Sequence, residues 1–528
     1  MSGCSDCRAT PSRRAETVAQ LLTDQLRLMA GHHPDEVAFL DVAGGTTLTF
    51  AGWEERSNRL ARWLVARGVG RGDRVALHVP PEEPDRFLVA YAAIHKAGGA
   101  AVPTSTRLVA RELAFVLDHA GAAVAVTGRS TLPALLGATV DLPGLRTVVT
   151  TAPPEERVAT GDDPPELVDW ADAADDDGSG FQVALDADDI ADIMYTSGTT
   201  GRPKGVVVRH GNVAMIPNGL PNWTGAGWLH ASPMFTFAGI ASVYNPMKLG
   251  MRLLYLPRFD VDAWFDAVEH HRPSATFLVP AMAELLIASD RFADADLSSI
   301  TLCPLGSAPL APATFDTLRR RLPGAMVSNS WGMTEAGPAY CSMPSDEIDK
   351  RVGSVGRPVP PTEFRIVDAS GTELPPRTVG ELLVRNPGRE REYFRDEEAT
   401  ARTWQDGWLH TGDLAELDED GYLYLRGRAK DVIIRGGNNV HAADVESVLY
   451  EHPDVREAAV AAVPHDVLGE DIGAWVVLNP GATVTEAELR EFCAGRLSDY
   501  KVPRRWTFLT ELPRNPTGKV VKRELPGR

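Results

Sequence analysis

The sequence predicts an α/β fold: a large N-terminal domain of several sheets with mostly parallel strands, followed by a small α+β C-terminal domain. Three observations lead there. Segments with helical and strand periodicity alternate along most of the chain, as βαβ units require. The length of 528 residues exceeds what one hydrophobic core serves, so at least two domains are expected. The pattern also breaks at Gly427-Arg428-Ala429-Lys430-Asp431, after which a compact segment of about 98 residues remains, enough to fold as a unit. The expected division is a disordered tail over 1–15, an N-terminal domain over 16–427, a junction over 428–430 and a C-terminal domain over 431–528.

Taken in order, Trp53 to Gly70 reads as a helix, with Leu60, Trp63 and Leu64 on one face and glycines ending it. Arg74 to Val79 follows as a strand. Residues 153 to 190 are rich in Asp, Glu and Pro and read as a solvated surface excursion. Ile190 to Tyr195 is a short strand. Val261, Trp264, Phe265 and Val268 keep the i, i+3, i+4, i+7 spacing of an amphipathic helix; Pro273 stops it and Ala275 to Val279 forms the next strand. Beyond the junction, Val455 to Val463 and Gly473 to Leu478 read as strands. Thr485 with Glu488 makes a capping box for a helix bearing Leu489, Phe492, Cys493 and Leu497.

With 53 basic and 72 acidic side chains, the formal charge is −19. That excess argues against a nucleic-acid or anionic-membrane partner, both of which need basic patches. No run approaches the roughly 18 to 20 apolar residues of a membrane span. The N-terminal MSGCSDCRATPSRR lacks the apolar segment of a secretory signal, and a cytoplasmic enzyme is expected. Five cysteines are too few and too scattered for a disulfide framework. Cys4 and Cys7 form a lone CxxC with no second ligand pair, and Cys303, Cys341 and Cys493 read as packing residues.

Four stretches carry chemistry. Thr196, Ser197, Gly198, Thr199, Thr200, Gly201 and Lys204 lie in a loop delivered by the 190–195 strand. Hydroxyls and bare backbone N–H groups approach phosphate oxygens closely, and the lysine adds a mobile positive charge, so the loop suits a polyphosphate. It is not a Walker motif, because Lys204 follows Pro203 and precedes Gly205. In Ser330-Trp331-Gly332-Met333-Thr334-Glu335, Glu335 is a hard oxygen ligand suited to Mg²⁺ and Thr334 can donate to a phosphate oxygen. Trp331 offers a flat face for adenine, or else is a core aromatic. Asp413, in Trp408-Leu409-His410-Thr411-Gly412-Asp413, can accept from two adjacent hydroxyls of a ribose, with Arg428 adding a second contact; the alternative is a turn-capping carboxylate. Lys519 lies in Leu512-Pro513-Arg514-Asn515-Pro516-Thr517-Gly518-Lys519-Val520, a proline-framed loop able to present an amine to a cleft or withdraw it.

These stretches, in this order and over nearly the whole chain, resemble the adenylate-forming enzymes: acyl-CoA synthetases, aryl-CoA ligases, luciferases and peptide-synthetase adenylation domains. TSGTTGRPKG, WLHTGD with YLRGRAKD, and PRNPTGKV carry the likeness. It implies ATP-dependent activation of a carboxylic acid to acyl-AMP, with ATP and Mg²⁺ as cofactors and coenzyme A as second substrate. It implies that Lys519 bridges the carboxylate and the α-phosphate, and that Gly306, Ser307, Ala308 and Gly332 lie beside the nucleotide. It makes Lys430 the hinge of a mobile lid domain, and Gly436, Gly437 and Asn438 the lining of a pantetheine tunnel. The acyl pocket is expected from Phe235, Thr236, Phe237, Gly239 and Ile240.

Residues 231 to 245 contain no Asp or Glu, which argues for a non-amino acid, because a buried ammonium without a counter-charge is costly. The chain departs from the family pattern at Trp331 (usually tyrosine), Thr236 (often histidine), Ala442 and Asp444. Thr236 either widens the pocket or alters the thioester step; Asp444 is expected as a helix N-cap. CoA is the expected acceptor, with a carrier-protein pantetheine or an amine as alternative, and a catalytically silent binding module as a further one.

Overall fold

In a computed structural model, the described residues are 21–139, 142, 144–157, 164–196, 203–213, 216–308, 310–337, 341–344, 346–388, 390–435, 438–465, 467–515 and 519–528. Cys4, Cys7, Ser197, Gly198, Thr199, Thr200, Gly201, Gly436 and Gly437 lie outside them. Among the described residues, two large sheets form the first part of the chain. An eight-stranded sheet runs parallel from Glu166–Asp169 through Thr147–Thr150, Val124–Thr127, Arg74–His78 and Ala100–Pro103 to Ile190–Thr196. It closes with antiparallel Lys204–Arg209 and Glu392–Tyr393. The second, seven-stranded sheet is parallel from Met326–Asn329 to Val37–Asp41, with Ala226–His230 at its centre. The near-continuous apolar strands of both sheets are what burial on two faces demands. An antiparallel five-stranded sheet carries Trp408–Leu417 and Leu423–Arg428.

The C-terminal segment has its own sheet and its own core of Ile433, Val440, Val445, Leu449, Val460, Ile472, Val476 and Leu489. On the other face of that sheet, Leu512, Val520 and Leu525 pack against Ala459 and Trp475, which anchors the loop bearing Lys519. The Thr485 capping box is formed: Thr485 Oγ1 accepts from the Glu488 N–H at 3.3 Å and the Glu488 carboxylate accepts from the Thr485 N–H at 2.8 Å. Thr485→Ala is expected to cost about 1 kcal/mol, read as faster hydrogen exchange across Glu486–Ala494.

Several elements depart from the sequence expectation. The first long helix is Phe50–Ala66, starting earlier because Thr49 caps it by accepting from the Gly52 N–H at 3.0 Å. The strand expected over 275–279 is regular only at Ala275–Thr276, because Pro280 starts a helix with Val279 as its N-cap. The acidic 153–190 excursion is not wholly solvated: Glu166–Asp169 adds an edge strand, and Arg59 and Arg62 donate to backbone carbonyls of 175–179. Asp444 does not cap a helix; it sits in the first turn of Ala442–Tyr450 and accepts from Lys501 Nζ at 2.8 Å. Burial pushes the thiols of Cys303 and Cys341 up to about 12 and that of Cys493 to about 11, as befits packing residues.

Candidate active site

Parallel strands of the seven-stranded sheet deliver most of the site from their C-terminal ends, where α/β sheets place ligands. Ala226–His230 leads into 231–239, Leu302–Leu305 into Gly306–Ala308, and Met326–Asn329 into Ser330–Glu335. The last two strands are direct neighbours, with Leu305 opposite Asn329. Gly306 is buried, and a Cβ there would come 2.9 Å from the Ser330 carbonyl, so the two turns touch. Ser307 holds a left-handed φ of 71°, a strained conformation for a non-glycine residue. Ser307, Ala308 and Gly332 are exposed.

The phosphate-loop hairpin enters from the other sheet. Thr196 and Lys204 face each other across its mouth as the last ladder pair. Thr196 Oγ1 donates to Glu335 Oε1 at 3.2 Å, and the Lys204 ammonium lies 4.6 Å from the centre of the Tyr393 ring. Tyr393 OH approaches the same Glu335 oxygen at 3.4 Å. Burial, and then the Glu335 charge, raise the Tyr393 phenol above its ordinary pKa, so it stays a donor. Arg391, 4% exposed, donates to the Thr334 carbonyl. Burial lowers its pKa to about 10, with Asp192 and Glu335 pulling the other way, so it remains a cation. Sequence reasoning missed Arg391 and Tyr393. They lie in a charge-dense run that reads as a solvated loop, and only the Tyr393-Phe394 aromatic pair hinted otherwise.

Asp413 and Arg428 are directly opposed on antiparallel strands, with Arg428 Nε 2.6 Å from Asp413 Oδ1. Trp331 donates its indole N–H to the other oxygen, Oδ2, at 2.9 Å. Asp413 is only 6% exposed. Burial raises its pKa, and Arg428, Trp331 and Lys519 oppose the rise. Lys519 is exposed to solvent yet crowded by protein: burial lowers its pKa, Arg428 and Lys430 repel its proton, and Asp413 and Asp431 attract it. The C-terminal loop therefore brings its amine within electrostatic range of Asp413 and Arg428. Lys430 is exposed in the short turn Ala429–Asp431, between the strands Leu423–Arg428 and Val432–Arg435.

On the acyl side, Phe235, Thr236 and Phe237 are half-buried. Thr236 is occupied structurally. It caps the helix Phe237–Lys248 by accepting from the Gly239 N–H at 3.0 Å and donates to the Pro233 carbonyl at 2.8 Å. Gly239 allows this turn, since a Cβ would come 2.0 Å from the Pro233 oxygen. Ile240 is turned into the core beside Tyr244 and Val243. Asn438, at the start of the strand Asn438–His441, is exposed and distant in sequence from the cluster.

Among the described residues, Glu335 accepts from Thr196 at the end of the Ile190–Thr196 strand. Among the described residues no group of three or more His, Cys, Asp or Glu could cage a metal. That donor set fits Mg²⁺ arriving on a nucleotide, which binds through few carboxylates and keeps phosphate and water ligands. Among the described residues, no helix is long and apolar enough to cross a membrane.

Comparison with known proteins agrees with this geometry. The family model described as AMP-binding enzyme matches residues 26–394, and that of the AMP-binding enzyme C-terminal domain matches 444–519. A feruloyl-CoA synthase from an Amycolatopsis species is 36% identical over 496 residues, spanning 92% of this chain and 94% of that protein. A fatty acid–[acyl-carrier-protein] ligase, ScoC, from Streptomyces coeruleorubidus is 32% identical over 522 residues, 96% of each. The crystal structure of the anthranilate CoA ligase AuaEII with anthranoyl-AMP superposes with a TM-score of 0.83 at 25% identity, covering 95% of this chain and 96% of that one. The chain belongs to the AMP-binding enzyme family, the adenylate-forming superfamily, on its acyl- and aryl-CoA-ligase-like side.

Proposed function

We propose that this protein activates a non-amino carboxylic acid with ATP and passes the acyl group to the thiol of coenzyme A. The observation that carries the reading is that Arg428 and Trp331, the latter in the segment that runs on into Thr334 and Glu335, both engage the Asp413 carboxylate, with Lys519 within electrostatic range of it. In the first half-reaction a carboxylate oxygen of the acid attacks the α-phosphorus. The bond from that phosphorus to the bridging oxygen breaks, and pyrophosphate leaves with the electron pair. Two anions meet, so the barrier is lowered by fixed positive charge and by positioning. Lys519 supplies the charge between carboxylate and α-phosphate. Thr196, Lys204 and the loop residues Ser197 to Gly201 hold the β- and γ-phosphates. Thr334 donates to the α-phosphate, Glu335 offers one ligand to the Mg²⁺ that ATP brings, and Asp413 with Arg428 holds the ribose. Bound Mg²⁺ would neutralise phosphate charge.

Trp331, Gly332, Gly306, Ser307 and Ala308 border the base. In the second half-reaction the C-terminal domain turns about Lys430, and Gly436, Gly437 and Asn438 line the pantetheine arm. The thiolate attacks the acyl carbon and AMP departs. Phe235 and Phe237, in a stretch without carboxylates, favour an apolar acid, and the feruloyl-CoA synthase relative makes aryl acids the first class to test. The ScoC relative keeps a carrier-protein pantetheine as second acceptor.

A panel of hydroxycinnamic, benzoic, medium-chain and long-chain acids, scored by pyrophosphate release with and without CoA, tests the reading. CoA-dependent turnover of at least one acid is expected. Pyrophosphate release that CoA does not support but a carrier protein does would move the acceptor. Silence with every acid would defeat the reaction.

A further inference from the structure

We infer that Arg391 is a positioning residue for adenylation, coupling the wall of the acyl pocket to the turn that carries Thr334 and Glu335. The inference rests on the proposed reaction. The surroundings of one buried guanidinium define it. One edge donates to the Thr334 carbonyl. The guanidinium carbon lies over the Phe237 ring, 5.3 Å from its centre. The plane also lies against Gly337, where an added Cβ would come 3.1 Å from Arg391 Nε; Gly337 has a left-handed φ of 68°, so the turn needs glycine there twice over. Asp192 and Glu335 lie within electrostatic range and favour the cation.

Arg391 immediately precedes the strand Glu392–Tyr393, and Tyr393 is hydrogen-bonded to Glu335. Residues two apart in an extended segment share a face. Arg391 and Tyr393 thus grip the Thr334–Glu335 turn together, one by its backbone and one by its carboxylate. The strand itself is pinned to the phosphate hairpin through Tyr393 opposite Val206.

A guanidinium can do this because it hydrogen-bonds along its edge while stacking through its face; an ammonium cannot stack as a plane. Any displacement of Phe237 by a bound acid is passed through Arg391 to the Thr334 carbonyl. The orientation of the α-phosphate donor and of the metal-facing carboxylate then depends on what fills the acyl pocket. This coupling explains why a desolvated cation is kept behind the site rather than at its surface, where it would be cheaper to maintain.

The test compares Arg391→Met and Arg391→Lys. Pyrophosphate release with the best acid of the panel should fall about 10²-fold in Arg391→Met, the scale of a misplacement of roughly 1 Å. Thioester formation from supplied acyl-AMP should change less than about threefold, since the Thr334–Glu335 turn has finished its work by then. ATP binding followed by calorimetry across a Mg²⁺ titration should need more Mg²⁺ in Arg391→Met than in wild type. Arg391→Lys restores a cation and a donor but no plane, so it should recover the Mg²⁺ response while keeping a raised KM for the acid.

If Arg391→Met is too unstable to purify, Arg391→Lys decides alone: a raised acid KM with normal thioester formation supports the role, and wild-type kinetics overturn it. Equal loss of both half-reactions in either variant, or a Mg²⁺ titration unchanged in Arg391→Met, would also overturn it. Should no acid in the panel turn over with wild type, the reaction is wrong, and the Mg²⁺-dependent ATP binding still decides whether Arg391 orients Glu335.

Discussion

Lys519→Ala is expected to abolish acyl-adenylate formation while leaving the second half-reaction largely intact. Lys519 is held on a loop of the C-terminal domain that is sewn to the sheet by Leu512, Val520 and Leu525, so the substitution removes an amine without loosening a core. In the present arrangement that amine lies within electrostatic range of Asp413 and Arg428. Removing one preorganised charge from a site where negative charge builds up typically slows the step by about 10²–10³-fold, or roughly 3–4 kcal/mol. Pyrophosphate release from the best acid should fall by at least that factor. CoA thioester formed from supplied acyl-AMP should change little, because the lysine would have swung out of the cleft. Equal loss in both assays would contradict a lid that alternates between two tasks.

A pH profile sharpens the test. Burial and the neighbouring Arg428 and Lys430 lower the pKa of Lys519, with Asp413 and Asp431 opposing them. The protonated form is the active one, so adenylation should decline on the alkaline side earlier than for an ordinary lysine, seen in kcat/KM as a free-enzyme limb. Lys519→Arg keeps a charge that does not titrate in this range, so the same limb should move to higher pH even where the rate is reduced.

What could be read in advance was what has a local signature. The strand before the phosphate loop was expected over Ile190 to Tyr195 and runs Ile190–Thr196. The Thr485–Glu488 box lies within one helical turn, and its hydrogen bonds follow from the two side chains alone. Asp413 and Arg428 lie on strands joined by a short connection, so their pairing was within reach of sequence proximity. Other features depended on chain segments far apart. Arg391 and Tyr393 enter the site because Glu392–Tyr393 pairs with Lys204–Arg209, and a long-range strand pairing leaves no period to detect. From the sequence, Thr236 either widens the pocket or alters the thioester step, and its structural duty does not show. Its hydroxyl in fact closes a tight turn whose geometry is set by Gly239 against Pro233. Asp444 was read as a cap from its type and place. The partner that claims it, Lys501, comes from another turn of the C-terminal domain. Local chemistry announces itself in sequence, whereas contacts made by topology do not.

Asp413→Asn is expected to weaken ATP binding by about 10- to 100-fold, the range for losing hydrogen bonds to a charged acceptor, 1.5–3 kcal/mol. The reason lies in how the carboxylate is already engaged. Arg428 forms an ion pair with Oδ1, and the Trp331 indole N–H donates to Oδ2. Each oxygen keeps a second acceptor site, and the two remaining sites are spaced for the vicinal hydroxyls of a ribose. An asparagine replaces one acceptor by a donor, so one hydroxyl loses its partner and the amide nitrogen meets either Arg428 or the indole N–H. Discrimination between ATP and 2′-deoxy-ATP should shrink together with affinity, which general destabilisation would not produce. Trp331→Phe separates the two duties of the indole. It keeps a flat face for the base and leaves both carboxylate oxygens able to accept, so ATP binding should weaken by a smaller factor, about 3- to 10-fold, with 2′-hydroxyl discrimination largely retained. Calorimetric titration of each variant with ATP and 2′-deoxy-ATP checks both. An Asp413→Asn protein that binds ATP as wild type does would remove the ribose from this carboxylate, and leave the Trp331–Asp413–Arg428 cluster as a structural clasp between the two turns.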